Sequence, residues 1–232
     1  MPGPHRKSGR ISRLVAFCAL GLFCASGFAT TAQAQGWNAK AAPFDFYVLA
    51  LSWSPGFCET DRSARGRDQC AIGKRYGFVV HGLWPQFERG YPSYCSASSQ
   101  VPSRRAMDLG AQVFPEEGLA RYQWRKHGSC SGLTPHDYFR YTAAARERVT
   151  IPRALQSSAI TADKKFAATE VRQAFIAANP GLQADMVSVV CHSGRLREVR
   201  VCLNRDLRSF RSCPSVTNNS CSIPSLTVDA PH

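Results

Sequence analysis

The sequence predicts an α+β fold, because strand and helix patterns both occur and do not alternate regularly along the chain. Residues 44–53 are rich in aromatic and β-branched side chains and stop at Ser54-Pro55-Gly56. This pattern predicts a buried strand followed by a turn. Residues 77–81 are also apolar and predict a second strand that ends at His81.

An antiparallel hairpin is predicted near the C-terminus. Residues 185–191 and 197–203 have strand composition and flank Ser193-Gly194, a pair typical of tight turns. The second of these strands alternates, with Arg197 and Arg200 among its polar positions.

Four helices are indicated by capping hydroxyls, first-turn prolines and stop residues. The first helix begins after Ser103 and ends at about residue 114, and the second spans 117–127 and ends before Gly128. The third begins at Thr134-Pro135 and ends at about residue 149, and the fourth spans 170–178 after Thr169. No internal repeat or linker interrupts these elements. One domain over residues 35–232 is therefore the preferred interpretation.

Residues 1–34 have the features of a secretory signal peptide. Four basic residues precede an apolar stretch of about 16 residues, and Ala32-Gln33-Ala34 fits a small-residue cleavage site. The apolar stretch is short for a spanning helix, so we expect no membrane anchor. Phenylalanine precedes both Cys18 and Cys24, which argues against a lipoprotein. We therefore predict a periplasmic or secreted protein.

The predicted mature chain is basic. Removing the signal peptide lowers the formal charge from +13 to +9, because that segment holds four basic and no acidic residues. A surplus of this size favours a polyanionic partner such as nucleic acid, although a solvated basic surface would have the same composition.

Eight of the ten cysteines remain in the predicted mature chain. An even number in an exported chain favours disulfides. Their spacing contains no Cys-x-x-Cys pair, so no zinc site or other metal site is expected. Eight cysteines allow 105 pairings, and the spacing alone does not select one.

Two segments, residues 77–86 and 122–130, each hold one histidine among aromatic and basic neighbours. Near neutral pH one imidazole can accept a proton while another donates one. Such a pair could cleave RNA without a metal or other cofactor, because the ribose 2′-hydroxyl must lose a proton and the departing 5′-oxygen must gain one. His81 and His127 are therefore the candidate catalytic pair.

The second segment predicts a cluster on one helix face. Gln123, Lys126 and His127 stand at i, i+3 and i+4, with Tyr122 on the flank of that face. An ammonium group at Lys126 would stabilise the extra negative charge of a pentacoordinate phosphorane.

The first segment predicts a site for a base. Gly82 leaves room beside His81, and Trp84-Pro85 offers a rigid aromatic surface on which a base could stack. Phe87 and Tyr91 are further candidates for the same surface. The alternative is that Trp84 is an ordinary core residue.

The two histidine segments resemble those of a known family. Residues 78–85, Phe-Val-Val-His-Gly-Leu-Trp-Pro, and residues 124–130, Trp-Arg-Lys-His-Gly-Ser-Cys, are similar to the two active-site segments of the ribonuclease T2 family. Residues 48–53, residues 91–95 and the C-terminal cysteines also fit. The resemblance implies a central antiparallel sheet that packs against several helices, in a fold crosslinked by disulfides.

The resemblance also implies an activity and its residues. It implies cleavage of single-stranded RNA to 2′,3′-cyclic phosphates and then 3′-phosphates, with His127 taking the 2′-hydroxyl proton and His81 protonating the 5′-oxygen. Lys126 matches the transition-state lysine, and Trp84 matches an aromatic residue of the base site. Gln86, Tyr91 and Tyr122 are the other candidate substrate-binding residues. The sequence itself does not separate base from acid, and it indicates no base preference.

A disulfide framework follows from the same resemblance. Cys95–Cys130 is implied, and we interpret the C-terminal group as Cys191–Cys221 enclosing Cys202–Cys213. Cys58 then pairs with Cys70.

The chain departs from the family beside His127. Glutamate usually stands four residues before that histidine, preceded by another histidine, whereas this chain has Gln123 and Tyr122. Glutamine keeps the shape of glutamate but lacks its charge, so the pKa of His127 is expected to be lower than in relatives. We expect an active enzyme with reduced turnover or a shifted pH optimum.

Three functions are compatible with these features. The first is a metal-independent endoribonuclease that acts as a monomer on RNA. The second is a weakly active or inactive secreted RNA-binding or cytotoxic protein that keeps the fold, and the third is a basic binding module for other polyanions.

Overall fold

The computed structural model describes residues 44–64, 66–95 and 101–231, apart from the side chain of Arg62. The predicted signal peptide and its cleavage site lie outside these residues. Among the described residues, no helix combines the length and apolar character needed to cross a bilayer.

One mixed sheet of six strands forms the centre of the fold, in the order β2-β1-β5-β6-β3, with β4 paired to β5. All pairs are antiparallel except β5 with β6, which pair in parallel at Arg195 and Thr227. The strands are β1 (Phe46–Trp53), β2 (Phe78–Gln86), β3 (Lys164–Phe166), β4 (Val187–His192), β5 (Arg195–Leu203) and β6 (Leu226–Val228). The predicted α+β class is confirmed.

In the described part of the chain, six α-helices accompany the sheet. They are α1 (Ser54–Thr60), α2 (Arg104–Val113), α3 (Glu117–Lys126), α4 (Pro135–Glu147), α5 (Ala168–Ala178) and α6 (Pro214–Thr217). The predicted caps of α2 and α4 are present, because the side chains of Ser103 and Thr134 accept from the backbone amides of Ala106 and Asp137.

Strand β1 is buried along its whole length because both of its faces are covered. Leu49, Leu51 and Trp53 belong to the main core with residues of α2–α5, while Phe46 and Val48 join a smaller cluster on the opposite face. The hydroxyl of Tyr138 in α4 donates to the carbonyl of Leu83 at 2.9 Å, which ties the helical layer to β2.

The predicted hairpin is confirmed as β4–β5. Its two-residue turn, Ser193-Gly194, has positive φ at both residues (48° and 73°), the conformation that matches the twist of paired strands.

Several predicted boundaries were wrong. Ser54-Pro55-Gly56 is the first turn of α1, where proline fits because its missing N–H would have had no helical partner. Helix α5 begins at Ala168 and not after Thr169, and the amide of Ala167 donates to the carboxylate of Glu170 at 2.6 Å. The short strands β3 and β6 carry too little pattern to be predicted.

Strand β2 continues beyond His81, which corrects the prediction that the strand ends there. It is an edge strand of the sheet, and a proline such as Pro85 is tolerated at an edge because one side of the strand needs no hydrogen bonds.

The described residues hold four disulfides, and they are the four pairs expected above: Cys58–Cys70, Cys95–Cys130, Cys191–Cys221 and Cys202–Cys213. Cys95–Cys130 covalently links the segment after β2 to the short turn that follows α3 and His127.

Candidate active site

His81 is the extra residue of a β-bulge in β2. Val80 pairs with Leu51 and Gly82 pairs with Ala50, so no residue of β1 lies opposite His81. A bulge redirects a side chain out of the regular alternation of the strand. The His81 side chain is 39% exposed, and its Nδ1 lies 2.5 Å from Oε2 of Glu198 in β5.

His127 lies directly after the last residue of α3 and is buried. Its Nδ1 is buried without a hydrogen-bond partner among the described residues. Burial, followed by the positive charge of Lys126 and by His81, lowers the pKa of His127 to about 3. The imidazole is therefore neutral at ordinary pH.

The ring of Trp84 lies close to both histidines. Its centroid is 5.2 Å from the ring centroid of His81 and 5.2 Å from that of His127. The guanidinium of Arg200 lies over the same ring at 5.2 Å. Trp84 therefore packs against both histidines, and the part of its surface under Arg200 is not free for a base.

Gln123 is fully buried and holds Trp84. Its Oε1 accepts from Nε1 of Trp84 at 2.8 Å. A Cβ atom at Gly82 would lie 2.2 Å from that Nε1 and 2.3 Å from that Oε1, so only glycine leaves room for this hydrogen bond. Gln123 thus contacts the site through Trp84, which the helical spacing alone did not indicate.

Lys126 lies beside two tyrosines. Its Nζ is 5.6 Å from the centroid of the Tyr122 ring, and a hydrogen bond with Tyr122 raises the pKa of Lys126. Tyr122 also shares a hydrogen bond with Tyr94, whose backbone amide donates to the Lys126 carbonyl at 2.9 Å. Lys126 is therefore a fixed positive charge next to His127.

The remaining predicted substrate residues fall into two groups. Tyr91 is 54% exposed, and its ring centroid is 6.0 Å from that of His127. Gln86 is buried and donates to the neighbouring Pro85 carbonyl, and Phe87 packs against the main core. No contact between these last two residues and the histidines is seen among the described residues. Their role at a base site therefore stays a prediction.

Sequence reasoning missed Glu198. Its Oε1 accepts from Nε of Arg200 at 2.7 Å, while its Oε2 faces His81. Burial opposes its charge, but His81 and Arg200 outweigh burial and lower the pKa of Glu198 to about 2. It lies 117 residues from His81 in sequence, so only strand pairing brings the two together.

Two of the three arginines of β5, Arg197 and Arg200, serve different parts of the site. Glu198 pairs with Val190 and Leu196 with Cys191, so Arg197 is a second bulge residue, and its side chain donates to Asp61 at 2.6 Å. Arg200 pairs with Ala50 and lies over Trp84. The regular alternation that we predicted for this strand was therefore wrong at Arg197.

A cavity of about 530 Å³ opens beside His81, and we call it the His81 cavity. Its wall includes apolar surface from Phe57 and Leu119 and two ion pairs. These are Arg67 with Glu116 at 2.7 Å and Arg197 with Asp61 at 2.6 Å. Cavities of this size hold ligands as large as a nucleoside. The sequence carried no signal for it, because its wall comes from four separate stretches of the chain: residues 52–69, His81, residues 116–122 and Arg197.

In the described part of the chain, no three histidine, cysteine or acidic side chains are grouped as metal ligands would be.

The chain is similar to known proteins in sequence and in fold. Residues 44–213 match the Ribonuclease T2 family. A ribonuclease from Aeromonas hydrophila is 36% identical over 202 residues, covering 84% of this chain and 86% of the relative. Ribonuclease DdI from Dictyostelium discoideum is 28% identical over 202 residues, covering 80% and 85%.

Solved structures agree with the fold. The structure of RNase NT in complex with 5′-AMP superimposes with a TM-score of 0.60 at 22% identity, covering 82% of this chain and 99% of that chain. Since the family match spans most of the described residues and the Aeromonas relative matches over most of its length, the chain belongs to the Ribonuclease T2 family.

Proposed function

We propose that this protein is a metal-independent endoribonuclease that cleaves single-stranded RNA by attack of the ribose 2′-hydroxyl on the adjacent phosphorus. The observation that carries this proposal is the placement of two imidazoles against one indole, Trp84, in opposite surroundings. One is buried beside a lysine, and the other contacts a carboxylate at the edge of a cavity.

His127 is the base of the first step. Its low pKa keeps it neutral and able to accept the 2′-hydroxyl proton. A bound phosphodiester adds negative charge beside the ring, which favours the protonated imidazole as the proton moves.

His81 is the acid of the first step. Its Nδ1 is occupied by Glu198, so Nε2 is the nitrogen available to donate a proton to the departing 5′-oxygen. The bond from phosphorus to the 2′-oxygen forms, and the bond to the 5′-oxygen breaks. In the second step His81 takes a proton from water as the water oxygen bonds to phosphorus. The bond from phosphorus to the 2′-oxygen breaks, and His127 returns its proton to that oxygen, giving a 3′-phosphate.

Lys126 stabilises the transition state. The phosphorane carries more negative charge than the ground state. The Lys126 ammonium is already held by Tyr122, so it can stabilise this charge without reorganisation.

The substrate lies across Trp84. The His81 cavity takes the nucleoside that bears the leaving 5′-oxygen, because His81, the proposed donor to that oxygen, lines it. The exposed ring of Tyr91, near His127, offers a stacking surface to the base on the other side.

We further propose that the protein works as an exported monomer in the periplasm or outside the cell. Four disulfides support an oxidising compartment.

The second candidate is a weakly active or inactive RNA-binding protein, cytotoxic or otherwise. The low pKa of His127 favours it, because a base is most effective when its pKa lies near the working pH.

Digestion of RNA in excess chelator tests the proposed function. We expect oligoribonucleotides to be cut to products ending in 2′,3′-cyclic phosphate, with 3′-phosphates accumulating later, while the matching oligodeoxyribonucleotide stays intact for lack of a 2′-hydroxyl. RNA that is bound but not cut would favour the second candidate. A requirement for added metal would contradict the mechanism.

Gln123→Glu tests the effect of the missing charge. A glutamate oxygen can still accept from Trp84, and its charge would raise the pKa of His127. We expect kcat/KM on a dinucleotide to rise by roughly 10-fold, the equivalent of about 1.4 kcal/mol. The base must be neutral to act, so raising its pKa should move the acidic limb of the pH–rate profile to higher pH. Unchanged or reduced kcat/KM would show that Gln123 does not limit turnover.

A further inference from the structure

We propose that Glu198 is a positioning residue of the reaction, which fixes the His81 ring through Nδ1 and so presents a protonated Nε2 to the leaving oxygen. This inference rests on the proposed function, because it concerns the acid of that reaction.

The first support is the geometry around His81. As a bulge residue, His81 lacks the strand pairing that orients a regular strand residue, and its side chain is partly exposed. The contact between Nδ1 and Oε2 at 2.5 Å is the hydrogen bond found for this ring among the described residues. Because an ionised carboxylate only accepts hydrogen bonds, Nδ1 must carry the proton. Nε2, on the other side of the ring, is then left to exchange its proton with substrate.

The second support is that neighbouring groups hold Glu198 itself in place. It is buried, with a side chain only 6% exposed, and each of its oxygens has a partner. Arg200 holds Oε1 at 2.7 Å and is itself packed over Trp84, the indole that lies against both histidines. A carboxylate held in this way keeps the His81 ring in one orientation.

The third support is the placement of the charges. The carboxylate contacts His81, whereas His127 has Lys126 beside it and no acidic neighbour seen among the described residues. Glu198 therefore acts on His81, the histidine that donates a proton in the first step. The effect of Glu198 on the rate should depend on whether the leaving group must be protonated.

Two substrates with different leaving groups test this role. A dinucleotide releases a 5′-alkoxide that must be protonated, whereas uridine 3′-(4-nitrophenyl phosphate) releases 4-nitrophenolate, a stable anion that needs no proton. In Glu198→Gln, which keeps the shape of the side chain, we expect kcat on the dinucleotide to fall roughly 10- to 100-fold with little change in KM. We expect kcat on the nitrophenyl ester to fall less than about 3-fold.

Two control variants are measured on the same pair of substrates. His81→Ala should show the same selectivity with a larger loss, and His127→Ala should lose both substrates, because both reactions need the base. An equal loss of both substrates in a folded Glu198→Gln variant would overturn the proposal. Failure of the proposed function itself would look different, since the wild-type protein would then cleave neither substrate.

A measurement on the wild-type protein covers the case in which Glu198→Gln does not fold. Nitrogen-15 chemical shifts of the His81 ring report which nitrogen carries the proton in the neutral form. We expect Nδ1 to be protonated. A neutral ring protonated only at Nε2 would overturn the proposal.

Discussion

Replacing either histidine with alanine is expected to lower kcat/KM on a dinucleotide by roughly 10²- to 10⁴-fold, the range that general acid or base catalysis contributes. His127→Ala removes the acceptor for the 2′-hydroxyl proton, and His81→Ala removes the donor to the 5′-oxygen. Both losses should appear mainly in kcat, because the cavity walls and Lys126 remain to bind substrate.

His136→Ala is the matched control. His136 lies in the first turn of α4 and is partly exposed beside Asp137, with no part in the site described above. Its activity should stay within about 2-fold of wild type. Comparable losses in all three variants, or a His127→Ala enzyme that keeps more than a tenth of its activity, would contradict the two-histidine mechanism.

The second large effect is expected from Gly82→Ala. The added methyl group would overlap Nε1 of Trp84 and Oε1 of Gln123, the two atoms of one hydrogen bond. Neither partner can move freely, since Gln123 is buried and Trp84 is enclosed by His81, His127 and Arg200. Because a displacement of about 1 Å can cost roughly 10² in rate, we expect kcat/KM to fall by about that factor.

Stability should fall in the same variant by about 1–3 kcal/mol, the usual effect of overpacking a buried site, and thermal unfolding measures it. Gly118→Ala is the control for folding. Gly118 lies in α3 with no atom within 4 Å of the added methyl, so its Tm should be unchanged or raised. A Gly82→Ala protein with wild-type rate and Tm would show that Trp84 does not need its hydrogen bond to Gln123.

The elements that the sequence predicted well are those specified by neighbouring residues. The cap at Ser103, the cap and first-turn proline of α4, and the turn at Ser193-Gly194 each depend on contacts within a few positions. The apolar run of β1 is equally local. Patterns of this kind are readable because propensity, capping and turn chemistry act over short separations.

The errors arose where pairing between distant strands overrides local pattern. The sequence predicted that the strand holding His81 ends there, but pairing with β1 carries β2 on to Gln86. It predicted regular alternation in β5, but a bulge turns Arg197 toward Asp61. A bulge shifts every later side chain to the other face, and no residue of the strand itself marks its position.

The identities and spacing of the residues were enough to name the two histidines, Lys126, and the departure from the family at Gln123 and Tyr122. The contacts among them appear only in the folded chain, where Trp84 lies against both rings, Gln123 holds Trp84, and Glu198 holds His81. Those contacts join residues 39 and 117 positions apart, and chain spacing carries no information about them until the sheet register is set.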